Sequence, residues 1–358
     1  MEQRKTRIAA AAALASGLGL YSHSPLADHG SIGFGLGTAA PIVTSSAITL
    51  PAKKALVGVT TQYTDYNEFS NGRLIELNER LEGEARHAHS IESLLTTSLT
   101  AAYGVTDDIT LGLRFPYVWR NNVREVPHHH GDEHHDEGGA GEEAPHVQNL
   151  GDPNGIGDTT VFGQWRFFNT EDNLTHVALL GSVKMPTGRT DRVTARSEDG
   201  EREIQGVHFQ PGSGSWDGSL GLAFTQGLGN FSFDSNILYT WVTKGDRHVD
   251  LGDVFTYNAA LSWSPGGTLG GGLQASSNFN LWTLMVELNG EWRDYQTERG
   301  VKDLDEGGHI LYVSPGARFA GGENWNLALS FGVPIVTDLN GHQVEPDYRI
   351  TSRINLAF

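Results

Sequence analysis

From residue 54 onward, apolar and polar residues alternate with period two in runs of ten or more, and the gaps between the runs are by turns short and long. Period two puts successive side chains on opposite faces of a strand. The pattern predicts strands near 54–66, 93–105, 108–119, 156–168, 174–186, 213–226, 230–242, 251–264, 280–295, 309–319, 324–336 and 348–358. In the run from 280, Trp282, Leu284, Val286, Leu288 and Trp292 share one face, and Thr283, Glu287, Asn289, Glu291 and Arg293 share the other. Ten residues at roughly 3.3 Å each, tilted about 40°, rise about 25 Å, the height of the apolar band on a membrane barrel. The same interval separates Phe231 from Trp241 and Tyr348 from Phe358. A soluble β-sandwich also alternates, but nothing in it requires a repeated membrane-height aromatic spacing. The expectation is an all-β chain whose residues 54–358 form a transmembrane antiparallel up-and-down β-barrel of about twelve strands, with both termini periplasmic.

The short gaps are turn chemistry: Thr106-Asp107, Asn169 to Asn173, Gly227-Leu228-Gly229 and Gly321-Gly322-Glu323. The gaps at 67–92, 120–155, 187–212, 243–250, 296–308 and 337–347 are mostly longer and polar, as outer loops are. Pro265 to Asn278 breaks the rule, being long for a periplasmic turn. Ahead of the strands, Arg4, Lys5 and Arg7 precede an apolar stretch from Ile8 to Leu20, which reads as a signal peptide over 1–27 and implies export. Residues 28–53, small and flexible with Pro41 and Pro51, read as a periplasmic or lumen-entering segment. The final strand, closed by Phe358, resembles the assembly signal of bacterial outer-membrane barrels, which implies the barrel-assembly machinery as a partner beside outer-membrane lipid. The expected location is therefore the outer membrane of a Gram-negative bacterium.

Composition narrows the chemistry. The 358 residues contain 45 Gly, no Cys, 19% charged residues and a net charge of −18. The absence of Cys excludes a disulfide scaffold and a thiolate metal site, and the acidic balance argues against nucleic acid as a partner.

Three local runs, Gly155-Ile156-Gly157-Asp158-Thr159 leading into Gln164-Trp165-Arg166-Phe167, then Lys184-Met185-Pro186-Thr187-Gly188, then Gly212-Ser213-Gly214-Ser215-Trp216-Asp217, occur in this order. Together with Ala40-Pro41-Ile42 and Thr49-Leu50-Pro51 they resemble the transporter-like outer-membrane family named for the MetA pathway of phenol degradation. The resemblance implies a barrel that handles small solutes, often aromatic or apolar. It carries no agreed set of functional residues. Of the glycines in these runs, Gly157 and Gly163 would let neighbouring strands or a plug segment approach closely.

The polar faces of the strands yield candidate lumen-lining residues: Arg114, Arg166, Lys184, Asp217, Asp234, Glu287, Glu291, Arg293, Arg318, Arg349 and Arg353. They serve as an interior ion-pair network, or Arg349 and Arg353 line a route for anions. The loop at 120–155 holds His128, His129, His130, His134 and His135 among carboxylates, a composition suited to weak binding of Zn, Cu or Ni. No other cofactor is expected. The leading functional expectation is a channel or transport-associated barrel for small solutes. Transition-metal capture and entry through the His-rich loop is the alternative. A rim hydrolase is the reading of another class, with His176 and Ser182, or His208 with Ser213 and Ser215, as the arrangements to inspect; a structural or adhesive barrel is the remaining one. Neither histidine sits in a recognisable nucleophile motif, so no enzyme is expected.

Overall fold

In the computed structural model, which describes residues 41–80, 89–126, 145–193, 204–265, 281–321 and 324–358, twelve antiparallel strands close into a single barrel. In chain order they are β1 (Ala55–Tyr66), β2 (Ser93–Thr106), β3 (Ile109–Asn121), β4 (Thr159–Asn169), β5 (Thr175–Met185), β6 (Asp217–Leu228), β7 (Phe231–Trp241), β8 (Val254–Trp263), β9 (Leu281–Arg293), β10 (Gly308–Gly321), β11 (Trp325–Leu339) and β12 (Pro346–Ala357). Each strand pairs with its sequence neighbours, and β1 also pairs with β12 from Leu56 opposite Ala357 to Tyr66 opposite Pro346. Main-chain bonds from Ala55 N to Phe358 O (3.2 Å) and from Phe358 N to Ala55 O (2.9 Å) lock the end of the seam. No barrel strand is left with an open edge, the condition for a sheet in hydrocarbon.

The burial pattern is inverted relative to a soluble protein. On β9, Trp282, Leu284, Val286, Leu288 and Trp292 are exposed, whereas Thr283, Glu287 and Asn289 are buried. β7 repeats this, with Phe231, Phe233, Ile237 and Trp241 outward and Ser232, Asp234 and Asn236 inward. An apolar outer belt with a polar interior is stable only when hydrocarbon surrounds the barrel.

At one end the strands are joined by short turns. Asp107-Asp108 connects β2 to β3, and Gly229-Asn230 connects β6 to β7, with Gly229 at φ 64° where a side chain would be strained. Both the entry to β1 and the end of β12 lie at this end. The anomalous gap at 265–278 falls almost wholly outside the described residues.

At the other end the described parts of the long connections fold inward, which alternation alone did not disclose. A helix, α1 (Asn71–Arg80), follows β1, opened by Ser70, whose Oγ accepts from Arg73 N at 3.3 Å. Its Leu74 and Leu77 are fully buried against Val126, with Phe69 alongside. Short strands His89–Ser90, Val123–Glu125 and Gln148–Gly151 form a small separate sheet. Tyr66, Ile91, Leu94, Val118, Val123, Leu150, Phe209 and Val344 then pack into one apolar cluster drawn from strand ends and loops. Burying a side chain such as Phe209 contributes about 1.5–3 kcal/mol, so this mouth is capped by a small core of its own.

Candidate functional site

Inside the wall, residues 41–54 run without regular secondary structure from the middle of the lumen to the short-turn end. A chain with no ladder of its own must satisfy its backbone elsewhere, and the wall supplies the partners. The carboxylate of Glu287, fully buried on β9, accepts from Ile42 N (2.7 Å), Val43 N (3.0 Å) and Thr44 N (2.7 Å), and from Thr44 Oγ1 (2.7 Å). Successive N–H groups converging on one anion form a nest. Ser45 N donates to Asn236 Oδ1 (2.8 Å), Ala47 N to Thr225 Oγ1 (2.9 Å), and Leu50 N to Thr110 Oγ1 (2.9 Å). Gln164 Nε2 donates to Ser46 O at 2.8 Å. Five strands thus grip one strap of chain.

The strap's exit crosses Gly104 on β2, where a Cβ would collide with the Pro51 and Leu50 carbonyl oxygens. Close approach of the strap therefore depends on Gly104, whereas Gly157 and Gly163 face Pro211, Pro116 and Leu111.

On the long-loop side of the strap lies a cavity of about 230 Å³. Val43 and Ser45 form part of its floor. Of the predicted lumen residues, Arg114, Lys184, Asp217, Glu291, Arg293 and Arg349 line it. Lys184 Nζ pairs with Asp217 at 2.5 Å, and Arg293 with Glu291 at 3.1 Å. Arg349 donates to Asn289 Oδ1 (2.9 Å) and lies over the Tyr312 ring at 3.9 Å. Asp234 and Glu287 instead belong to the strap's level: Asp234 accepts from Thr225 Oγ1 (2.6 Å) and Ser232 Oγ (2.9 Å). Arg318 donates to Thr283 Oγ1 (3.3 Å) and Arg353 to Thr60 Oγ1 (3.1 Å), both within electrostatic reach of Glu287. Arg166 departs from the expectation of a lumen-lining residue. It sits at the short-turn rim in an ion pair with Asp108 at 2.8 Å, because the turn after β2 offers a carboxylate there.

The three sequence runs converge on a single knot at the cavity's edge. Asp158 accepts from Gly188 N (2.8 Å), Ser213 N (2.8 Å) and Ser213 Oγ (2.7 Å), and Lys184 Nζ reaches Ser213 Oγ (2.6 Å) and Asp158 (3.5 Å). Gly188 and Gly212 touch backbone to backbone; a Cβ on either would lie 2.7 Å from the other chain. Residues 213–216 therefore leave the ladder to serve this knot, and β6 starts at Asp217 rather than near 213. Asp158 was absent from the sequence candidates, although it lies within the first run.

His176 is fully buried at the short-turn end, its Nε2 3.0 Å from Asn173 O. Ser182 lines the cavity, about 20 Å along the same strand at ~3.3 Å per residue. His208 packs on Phe209 (centroids 4.0 Å) and His89 (5.2 Å), while Ser213 and Ser215 are bonded to each other at 2.8 Å and to Lys184. The His176 and Ser182 pair is not assembled. His128, His129, His130, His134 and His135 lie outside the described residues, and among the described residues no cluster of three His, Asp or Glu has the arrangement of a metal site.

Against known families, residues 131–338, more than half of the chain, match the family described as "Putative MetA-pathway of phenol degradation". The chain belongs to this family. No curated protein matches it. Among solved structures, this chain is similar to an outer membrane channel from Pseudomonas putida F1, with 15% identity and a TM-score of 0.56 over 87% of this chain and 98% of that one. That likeness bears on the fold alone, an outer-membrane barrel. Looser resemblances include the Pseudomonas putida toluene transporter TodX (9% identity, TM-score 0.41, 87% and 90% covered). The translocator domain of the autotransporter NalP from Neisseria meningitidis is a further one (10%, 0.42, 86% and 89%).

Proposed function

We propose that this MetA-pathway family member is an outer-membrane channel for small solutes with an apolar or aromatic body. Long loops of such barrels face outward, so the capped end is assigned to the cell exterior and the strap and both termini to the periplasmic side. The observation that carries the reading is the cavity of about 230 Å³ held between the strap and the cap inside a lipid-facing wall. An engineered apolar cavity of about 150 Å³ admits benzene, so a single aromatic ring fits this space and a folded polypeptide does not. The family's link to phenol degradation and the toluene transporter among the looser likenesses agree in solute class.

Planar-bilayer recording tests the proposal. Benzyl alcohol should interrupt the single-channel current of the purified protein, while arabinose at equal concentration should leave it unbroken. Silence of both the intact protein and a variant lacking residues 28–50, with no current to interrupt, would overturn it.

A further inference from the structure

Leu238 on β7, Val242 just beyond it, Leu251 ahead of β8 and Val254 at its start form the apolar flank of the cavity, with Asn236, Thr240, Thr256 and Asn258 beside them. Arg349 springs from β12, but its guanidinium reaches the wall of β9 and β10, where it meets Asn289, Ser314 and the Tyr312 ring, next round the ring from β8.

Lys184, Arg293 and Arg349 line the cavity together with the carboxylates of Asp217 and Glu291. Lys184 pairs with Asp217 and also reaches Asp158 at the edge, and Arg293 pairs with Glu291. Glu287, which like Glu291 acts on Arg349 only from beyond ion-pair distance, is occupied by the strap's amides. Arg349 is only 7% exposed, and its hydrogen-bond acceptors, Asn289 Oδ1 at 2.9 Å and Ser314 Oγ at 3.4 Å, are neutral. No carboxylate lies within ion-pair distance of it among the described residues.

Taking a guanidinium out of water without a paired anion is costly. The Tyr312 ring beneath Arg349 recovers part of that cost and holds the planar group flat. A flat, buried guanidinium at the edge of a cavity is preorganised for two parallel bonds to a carboxylate.

We infer that the solute taken by this cavity is a small carboxylate with an apolar, ring-sized body, its carboxylate on Arg349 and its body against Leu238 and Val254. This rests on the channel reading for its place in transport, but binding is separable from passage. A neutral hydrocarbon would leave the guanidinium with no carboxylate at ion-pair distance. A bare anion such as acetate would leave the apolar flank unfilled.

Equilibrium dialysis with radiolabelled benzoate, benzyl alcohol, benzylamine and acetate on the purified full-length protein in detergent tests the site. Benzoate should bind at least tenfold more tightly than the other three. Arg349→Gln should abolish that margin and Arg349→Lys should keep part of it. Leu238→Asn, which leaves every charge in place, should weaken benzoate binding several-fold without changing acetate binding. This second variant decides the matter if Arg349→Gln no longer shows the heat-modifiable mobility of a folded barrel. Equal affinity for benzoate and benzyl alcohol, or benzoate binding indifferent to both substitutions, would overturn the inference. The bilayer assay separates the two readings: benzoate bound in dialysis with no current to interrupt sinks the channel and keeps the site. Interruption by benzyl alcohol and benzoate alike keeps the channel and sinks the site.

Discussion

Glu287 is the residue on which most of the interior arrangement turns. It is fully buried, yet its carboxylate collects three backbone N–H groups and one hydroxyl from the strap. Hydrogen bonds to a charged group contribute about 1.5–3 kcal/mol each, and a buried donor left without its acceptor costs about 1–3 kcal/mol. Glu287→Ala orphans all these donors at once, so the strap should detach while the barrel, whose ladders do not use this side chain, still assembles. The expected outcome is a several-fold rise in single-channel conductance with unchanged heat-modifiable mobility; unchanged conductance would show that the strap is held by other contacts. Asp158 plays the parallel part at the cavity's edge, accepting from Gly188 N and from Ser213 N and Oγ. Asp158→Ala should loosen the connection between β5 and β6, read as faster cleavage within 186–216 by added protease. Equal cleavage rates would reduce the knot to a passive contact. Asp158 falls within the strand expected near 156–168 and on the parity of Arg166, but alternation carries no trace of its partners, which lie 30 and 55 residues away at Gly188 and Ser213.

At the scale of elements, the strap is a plug made from backbone rather than from side chains. Its residues are small, Ser45, Ser46 and Ala47 among them, so it follows the wall closely and presents N–H groups to it. Deleting residues 28–50 should raise conductance at least as much as Glu287→Ala, and combining the two should add nothing further, since both remove one obstruction. Additive effects would mean a second constriction. Gly104 admits the strap at the rim because a Cβ would strike the Pro51 carbonyl. The helix Asn71–Arg80 went unread because its apolar signal is two leucines three apart within a polar loop; its stability comes from Val126 and Phe69, distant in sequence or outside its own turns. The His-rich loop remains a separate chemical element. Calorimetry with Zn²⁺ should give micromolar-range heats that vanish when His128, His129, His130, His134 and His135 are replaced by alanine, and identical titrations would remove metal binding from the loop.

For the whole molecule, the decisive quantity is the inversion of inside and outside. Tryptophans at 165, 241, 282, 292 and 325 are all exposed on the outer face, and aromatic girdles sit at the two membrane interfaces. Lipids brominated near the headgroup should quench the protein's tryptophan emission more than lipids brominated at the acyl-chain end; the reverse order would displace the belt from the interfaces. Period-two alternation, the ten-residue aromatic interval and the turn residues were sufficient to read the strands, their number and which face meets lipid. That is so because strand geometry converts neighbouring positions into opposite faces by local stereochemistry alone. The same logic put Glu287, Arg349 and the other polar residues of the strands on the inner face. It could not tell Arg349 at the cavity from Glu287 under the strap, or from Arg166 at the rim beside Asp108. Those assignments depend on contacts between positions as far apart as Ile42 and Glu287, 245 residues along the chain. The sequence by itself determined a lipid-facing barrel and the direction of its side chains. Only closure of the ring decided what the strap covers, which charges remain to meet a solute, and where the cavity lies, because each is a meeting of strands that no local pattern encodes.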